Sequence, residues 1–482
     1  MDFTCIVLFL AIYYLKPQEW TPLFATVRFV QLTMFASVLS LLMRARSLKV
    51  ADFLRTPHDW AMLAFFGWVV VASPTPVDTF REFLNRLVFY VVIVQTLTSW
   101  DRLKRFLGWW TGMIVGVAFL AIAGEYFFDP LGSHGITHGI MKDRLVLNLS
   151  MVNNPNALGH TVVPVIPMLY FFCIWKRPLF IKEVGLATFI FPLWCVYLTF
   201  SKGAYVAGAA TILATLVFGR PKAVQIFILT IALIAGATTV KTLPRMAELQ
   251  KTKTDEAIQG RVTAFTYGRE YYDVLTAGVG QGQFVNTLLR DHNYYKAAHS
   301  TYVQTGTELG WPGLFLFLLL IWTSARTLIF AKTHTVEQER VRRILFVLLF
   351  TYCVSGWMVD FAYRATFFMF TAAIAAFHRM LYQLTPEIAP EEMEPEEPEL
   401  AWRPKPLEPV PVVPEPVGAG PAVAMVPAAA VMPWLRRDAA DTEPAPEPPQ
   451  KFWNRIGVLD VAAAVALLIA AERFWLYAIY NF

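Results

Sequence analysis

Apolar runs of about 20 residues recur along this 482-residue chain and are separated mostly by short polar segments. A helix of that length crosses the hydrocarbon core of a bilayer, and the sequence shows no series of alternating β-barrel strands. Hydropathy therefore predicts an all-α polytopic membrane protein with about 12–13 transmembrane helices. The predicted spans lie near residues 2–15, 25–43, 58–74, 80–98, 103–124, 156–175, 184–200, 203–219, 222–242, 302–324, 343–361, 364–384 and 456–479.

The composition supports a membrane protein. Hydrophobic residues make up 56% of the chain, charged residues make up only 16%, and the mean hydropathy is +0.46. Soluble domains carry about a quarter charged residues, so a soluble globular protein is excluded. The four cysteines all lie in apolar runs, and we expect neither a disulfide framework nor a metal cluster from them. The first span begins at Met1 without a basic leader or a small-residue cleavage site, which favours a retained helix.

Lysine and arginine set the predicted orientation, because they concentrate in cytoplasmic loops. With the N-terminus inside, the outer turns hold little beyond Lys16, Lys202 and Arg364. The predicted inner loops hold Arg44, Arg46, Lys49, Arg55, Arg102, Lys104, Arg105, Lys176, Arg177, Lys182, Arg220, Lys222, Arg326, Lys332, Arg340, Arg342 and Arg343. Two long loops, 125–155 and 243–301, are then periplasmic. The second of these lies between the ninth and tenth spans.

The chain divides by composition into three predicted parts. Residues 1–384 form the membrane domain. Residues 385–450 hold more than half of the prolines and begin with an acidic run, a composition that predicts a disordered cytoplasmic linker. Residues 456–479 return to the membrane as a last helix. The linker is interpreted either as a tether for that helix or as a docking segment for a cytoplasmic partner.

Apart from the linker, the longest polar interval between apolar segments runs from Gly260 to Gly313, and it holds two residues suited to catalysis. His299 precedes an apolar span, and an imidazole titrates near neutrality, so it can take a proton from an attacking hydroxyl. Arg261 offers a rigid fork of donors to phosphate oxygens. The alternatives are a hydrogen-bonded surface histidine and an arginine that anchors an amphipathic segment at the interface. That anchoring role suits Lys241, Arg245, Lys251 and Lys253 better.

Further cations are predicted at the same outer face. Lys202 lies in a tight turn between two apolar runs, where a charge is either functional or snorkels to the interface. Arg81 and Arg86 lie near the outer end of the fourth span, and Arg364 faces the same compartment. Several cations on one face indicate an anionic ligand or lipid headgroups.

Three other motifs have simpler interpretations. The run 278–282, Gly-Val-Gly-Gln-Gly, lacks the Lys-Ser/Thr end of a P-loop and predicts a tight turn with positive φ. His134 and His138 are four residues apart, but Gly135 between them favours a loop over a helix, so no metal site is predicted. Asn156 follows a long polar loop and is typical of a turn and helix cap.

The order of these motifs resembles the O-antigen ligase and polymerase superfamily. The sequence holds Asn-Pro-Asn at 154–156, Ser-Lys-Gly-Ala at 201–204, Gly-Arg at 260–261, Gly-Val-Gly-x-Gly-x-Phe at 278–284, Ala-His-Ser-x-Tyr at 298–302 and Glu-Leu-Gly-x-x-Gly at 308–313. The resemblance covers residues 150–315 by motif and the first twelve spans by topology. The linker and the last helix lie outside it.

The resemblance implies a GT-C-like glycosyltransferase in the bacterial inner membrane, working without metal or cofactor. Such an enzyme moves a glycan from undecaprenyl diphosphate to an acceptor at the periplasmic face. Lys202 and Arg261 would then hold the diphosphate, and His299 would be the base. The residues expected to bind the diphosphate or the glycan are Arg86, Arg81, Arg364, Asn156 and Tyr302. Two departures from the family pattern are Lys202, where arginine is usual, and Ser300, where asparagine is common.

The acceptor separates the remaining possibilities. A lipid A core implies a ligase, a growing glycan implies a polymerase, and a serine or threonine implies a protein O-glycosyltransferase. The expected partners are the lipid-linked donor, one of these acceptors and membrane lipids. We expect no nucleic-acid partner. A transporter of an anion is the alternative from another class. Because a transport path places charges at several depths in the bundle, cations at one face favour the enzyme.

Overall fold

The computed structural model describes residues 2–44, 53–239, 255–382 and 455–482. All of the described residues belong to one compact unit. The whole predicted linker at 385–450 lies outside the described residues, as do Arg46, Lys49, Lys241, Arg245, Lys251 and Lys253.

The described residues form seventeen α-helices and no strand. They are α1 (Asp2–Leu15), α2 (Phe29–Arg44), α3 (Pro57–Val71), α4 (Pro76–Thr96), α5 (Trp100–Tyr126), α6 (Ser133–His138), α7 (Pro155–Val162), α8 (Val165–Leu169), α9 (Leu179–Leu198), α10 (Lys202–Val217), α11 (Lys222–Thr239), α12 (Glu256–Val274), α13 (Phe284–His292), α14 (Thr301–Phe330), α15 (Val336–Ser355), α16 (Ala365–Leu381) and α17 (Val458–Asn481). A π-helical turn at Tyr170–Ile174 extends α8.

Each of the thirteen predicted spans coincides with one of these helices or, near 156–175, with α7, α8 and the π-helical turn. Five are long and apolar enough to cross a membrane: Trp100–Tyr126, Pro155–Ile174, Leu179–Leu198, Thr301–Phe330 and Val458–Asn481. Four shorter apolar helices accompany them: Phe29–Met43, Lys202–Val217, Lys222–Ile234 and Ala365–Leu381. The predicted class, an all-α polytopic membrane protein, is confirmed.

Local sequence signals explain where several helices begin. Thr56 and Asp59 form a reciprocal capping box at α3, which also has proline at its first position. Ser99 accepts a hydrogen bond from the Arg102 N–H at the start of α5. These caps satisfy backbone N–H groups that have no partner within the helix.

Helix α14 is broken at Gly310, where φ is 65° and ψ is −172°. The break frees carbonyls that the turn 278–282 then uses: Val279 N donates to Thr307 O at 3.0 Å and Gly280 N donates to Glu308 O at 2.8 Å. Irregular backbone of this kind is tolerated in a membrane protein only where other groups complete its hydrogen bonds. The predicted positive φ values of the turn are confirmed at 70°, 97° and 74° for Gly278, Gly280 and Gly282.

Helix α17 packs against α14 and α12 through polar contacts at both of its ends. Asp460 pairs with Arg326 and accepts a hydrogen bond from Trp322 Nε1 at 3.0 Å. Near the other end, Trp475 Nε1 donates to Phe265 O at 3.1 Å. The last helix is thus part of the same bundle that carries the candidate site.

The two long predicted loops contain helices. The loop 125–155 holds α6, so the interpretation of His134 to His138 as a non-helical segment was wrong. Asp129 explains the difference, because its carboxylate accepts hydrogen bonds from Ser133 N and His134 N, both at 2.8 Å, and so fixes the first turn. The loop 243–301 holds α12 and α13 within its described part.

Candidate functional site

Four connecting segments meet at one end of the bundle. Arg144, in the loop before α7, donates from Nε to Thr199 O at 3.1 Å, after the end of α9. Thr301 N, at the start of α14, donates to Gly356 O at 2.6 Å, and Arg364 Nη1 donates to Met151 O at 2.9 Å. The segments around residues 144–156, 199–203, 255–300 and 356–364 therefore form a single surface.

The turn between α9 and α10 presents Lys202 to this surface. Phe200 adopts a left-handed conformation, with φ 46°, which reverses the chain within three residues. Ser201 Oγ then accepts a hydrogen bond from Ala204 N at 3.3 Å and caps α10. The Lys202 ammonium forms an ion pair with Asp255, and the two side chains are only 15% and 10% exposed. This lysine is held at the surface by a carboxylate from the start of α12.

Arg261 lies one turn further along α12 and is partly buried. Burial lowers the pKa of its guanidinium, whereas the charges of Asp255 and Asp360 raise it. The described residues supply Arg261 with no hydrogen bond or ion pair at contact distance. It is therefore a charged fork of donors with unused hydrogen-bonding capacity.

His299 immediately precedes the capping residue of α14. Ser300 Oγ accepts a hydrogen bond from Val303 N at 3.4 Å, and His299 itself is left-handed, with φ 50°. Burial lowers the pKa of its imidazole, Arg261 and Lys296 lower it further, and Asp360 raises it. The ring is therefore neutral at pH 7 and has a lone pair that can accept a proton.

Asp360 connects these groups. It lies in the segment between α15 and α16 and acts electrostatically on both Arg261 and His299. Its segment is fixed to the start of α14, because Thr301 Oγ1 donates to Val359 O at 2.7 Å and accepts from Phe361 N at 3.0 Å. The cluster therefore comprises Lys202 with Asp255, and Arg261 with Asp360 and His299.

His160, from α7, borders this cluster. Its Nδ1 lies 3.0 Å from Ser355 Oγ, and its buried Nε2 has no hydrogen-bond partner among the described residues. A Cβ added to Gly203 would lie 3.0 Å from that Nε2, so glycine after Lys202 lets the turn approach the ring closely. His160 and Arg364 also line a small cavity of about 30 Å³.

Three of the other predicted residues hold the connecting segments together. Asn156 Oδ1 accepts hydrogen bonds from Arg144 Nη2 at 2.9 Å and from Ser201 Oγ at 2.7 Å. Arg86 Nε donates to Tyr363 O at 2.9 Å. Arg364 bonds to Met151 O, as described above, and its guanidinium lies 4.3 Å from the centre of the Phe361 ring.

Tyr302 and Arg81 occupy different surroundings. Tyr302 is 6% exposed, donates its hydroxyl to Cys353 O at 2.9 Å and contacts Trp357 with the rings tilted by 34° and their centres 4.5 Å apart. Tyr302 therefore lies where α14 packs against α15. The side chain of Arg81 is 77% exposed and lies 4.0 Å from Asp78. No described contact links Arg81 to the cluster.

The match to a known family falls on the same elements. Residues 187–318 match a family model described as O-antigen ligase. Over this segment the chain is similar to the O-antigen ligase family. The resemblance predicted from the motifs is confirmed, and Lys202, Arg261 and His299 all lie inside the matched segment. No curated protein matches the chain.

The two acidic residues of the cluster, Asp255 and Asp360, were not identified from the sequence. Asp255 directly precedes α12 and accepts a hydrogen bond from Ile258 N at 3.3 Å, so the signal available was a helix-capping aspartate near Arg261. Asp360 lies at the end of the predicted span 343–361, four residues before Arg364, so the signal available was a carboxylate beside that arginine. Arg144 and His160 had no comparable signal, because their roles depend on contacts across the fold.

Proposed function

We propose that this chain is an O-antigen ligase-like glycosyltransferase of the bacterial inner membrane. It transfers a glycan from undecaprenyl diphosphate to an acceptor hydroxyl at the periplasmic face. The observation that supports the proposal is the grouping of Lys202, Arg261 and His299, from three separate elements, at one end of the bundle.

The two cations suit the leaving group. In the reaction the bond between the anomeric carbon and the diphosphate oxygen breaks, and negative charge develops on the departing lipid diphosphate. Arg261 has free donors for two phosphate oxygens, whereas Lys202 supplies a point charge. Stabilising charge where it develops lowers the barrier, and the lipid diphosphate is already an activated leaving group.

His299 suits the acceptor side. The acceptor hydroxyl must lose its proton as its oxygen bonds to the anomeric carbon, and a neutral imidazole can accept that proton. Asp360 then stabilises the imidazolium that forms, because its negative charge favours the protonated ring. The proton subsequently passes from His299 to solvent and restores the base.

Attack from the side opposite the diphosphate would invert the anomeric configuration. The two cations belong to α10 and α12 and the base directly precedes α14, so different elements would bind the leaving group and activate the nucleophile. NMR of the new linkage tests this stereochemistry. Retention of configuration would refute direct displacement.

Purified protein incubated with a lipid-linked glycan and separate acceptors, without nucleotide, tests the proposed function. Lipid A core as the effective acceptor is the expected result. Transfer to a second glycan would make the chain a polymerase, and transfer to a peptide hydroxyl would make it a protein O-glycosyltransferase. No product with any acceptor, together with uptake of an anion into proteoliposomes, would refute the enzyme in favour of a transporter.

A further inference from the structure

Three potential metal ligands converge in the loop 125–155, outside the cation cluster. Glu125 is at the end of α5, and His134 and His138 are both on α6. Glu125 Oε1 lies 2.7 Å from His138 Nε2, and Glu125 Oε2 lies 3.5 Å from His134 Nδ1. One ligating atom from each residue lies within 4.8 Å of the others. A six-residue helix thus presents two imidazoles to one carboxylate.

The carboxylate of Glu125 is incompletely satisfied. Its side chain is 13% exposed, whereas the side chains of His134 and His138 are 56% and 40% exposed. Glu125 Oε2 is buried and accepts no hydrogen bond from the described residues. A buried carboxylate oxygen without a donor is costly unless a charge compensates it. A positively charged group would compensate the Glu125 carboxylate. The two exposed imidazoles mark the side from which such a group can reach it.

The surroundings hold the ligands in place. Asp143 Oδ1 lies 2.6 Å from His138 Nδ1, which leaves Nε2 directed toward Glu125. Metal-binding histidines commonly use such a second carboxylate to fix the orientation of the ring and raise its basicity. Asp129 fixes the first turn of α6 through Ser133 N and His134 N. Both imidazoles therefore have defined positions.

We propose that Glu125, His134 and His138 bind one Zn²⁺ ion, with Asp143 supporting His138. Two imidazoles and one carboxylate are a ligand set that Zn²⁺ accepts, with bonds of about 2.0–2.2 Å and a fourth position open to water. At tetrahedral angles such ligand atoms stand roughly 3.3 Å apart. His134 Nδ1, at 3.5 Å from Glu125 Oε2, already fits this spacing, whereas His138 Nε2, at 2.7 Å from Glu125 Oε1, has to move away by about 0.6 Å. The nitrogen ligands exclude Mg²⁺ and Ca²⁺ as preferred ions.

The position of the site indicates a structural role. Arg144 directly follows Asp143 and bonds to Asn156 and Thr199 O, so the segment that closes the zinc site also contributes to the functional surface. The reaction proposed above uses none of the three ligands. Zn²⁺ would therefore fix the loop 125–155 without taking part in the chemistry.

The competing occupant is a proton. Hydrogen bonds to Asp143 and Glu125 raise the pKa of His138, so an imidazolium between two carboxylates is the alternative arrangement. The test uses the full-length protein without a polyhistidine tag, stripped with EDTA and titrated with Zn²⁺ by calorimetry. We expect one equivalent to bind, Mg²⁺ to give no heat, and Zn²⁺ to raise the thermal transition temperature.

Variants make the test specific. His138→Ala and Glu125→Gln should abolish the binding, whereas His334→Ala, which removes an exposed histidine between α14 and α15, should leave it unchanged. Asp143→Asn keeps all three ligands and should weaken the affinity by about 10- to 100-fold. Co²⁺ should give the visible absorption of a four-coordinate ion. No stoichiometric binding, or equal binding by the His138 and His334 variants, would overturn the proposal even if the ligase activity is established.

Discussion

The pH dependence of turnover tests the role of His299, because two charges near it act in opposite directions. Asp360 raises the pKa of the imidazole, whereas Lys296 lowers it. In the proposed reaction His299 works as the neutral base, so turnover should fall as the pH decreases through its pKa. Asp360→Asn removes the charge that favours protonation, and the acid limb of the profile should move to lower pH. Lys296→Met removes a cation and should move the limb to higher pH.

The size of each shift follows from the partial exposure of these groups. Asp360, Lys296 and His299 are neither fully buried nor fully exposed, so an effective dielectric of about 40 is appropriate, between the values for a protein surface and for water. At that dielectric, two unit charges separated by several ångströms interact by about 1 kcal/mol, which is less than the roughly 1.4 kcal/mol of one pKa unit. The limb should therefore move by less than one pH unit, and it should move further for Asp360→Asn, because Asp360 affects the imidazole more than Lys296 does.

The assay is transfer from a lipid-linked glycan at saturating donor and acceptor, with kcat measured from pH 4.5 to pH 9, a range of about two units or more on either side of an ordinary histidine pKa. Lys296→Arg keeps the positive charge and serves as the control. The acid limb of its pH profile should stay where it is in the unaltered protein. His299→Ala should lower kcat by about 10²- to 10⁴-fold and abolish the limb. The reasoning is refuted if the Asp360 and Lys296 variants shift the limb in the same direction, or if the limb persists without His299.

Two predictions concern the bundle that supports the site. Gly310→Ala should destabilise the protein severely, because φ is 65° there and an added Cβ would overlap the Thr276 carbonyl oxygen. Gly116→Ala is the control. A Cβ added at Gly116 has no atom within 4 Å, so this variant should leave the thermal transition unchanged. Asp460→Asn should lower the stability by about 3–5 kcal/mol, since it replaces the carboxylate that pairs with the buried Arg326 by a neutral amide. Denaturation in detergent measures both effects. Equal losses for Gly310→Ala and Gly116→Ala would contradict the first prediction, and an unchanged stability for Asp460→Asn would contradict the second.

The membrane helices could be predicted from the sequence because their signal is local. A run of about 20 apolar residues has few alternatives to a membrane helix, whatever it packs against. The turn 278–282 was predictable for a similar reason, since three closely spaced glycines indicate backbone with positive φ. The break in α14 at Gly310 was not predictable in the same way, because it depends on the carbonyls that this turn approaches.

The candidate site was predictable in its cations and its histidine but not in its carboxylates. Lys202 stands out as a charge between two apolar runs, and His299 as a titratable group beside a span. Asp255 and Asp360 look like ordinary loop aspartates until the fold brings α12 and the segment after α15 together. Tyr302 illustrates the opposite case, because a sequence position beside His299 does not reveal that its ring packs between α14 and α15.

These carboxylates explain how the site can keep its cations partly buried before the donor binds. An uncompensated charge out of water is costly, and Asp255 offsets that cost for Lys202 through a direct ion pair. Arg261 interacts electrostatically with Asp255 and Asp360 but forms no ion pair with either, so its N–H donors stay available. In the proposed reaction the diphosphate binds first to the fork of Arg261 and then competes with Asp255 for Lys202. A lysine serves this exchange because its ammonium can turn from one oxygen to another, whereas a bidentate arginine–aspartate pair would hold its partner more firmly.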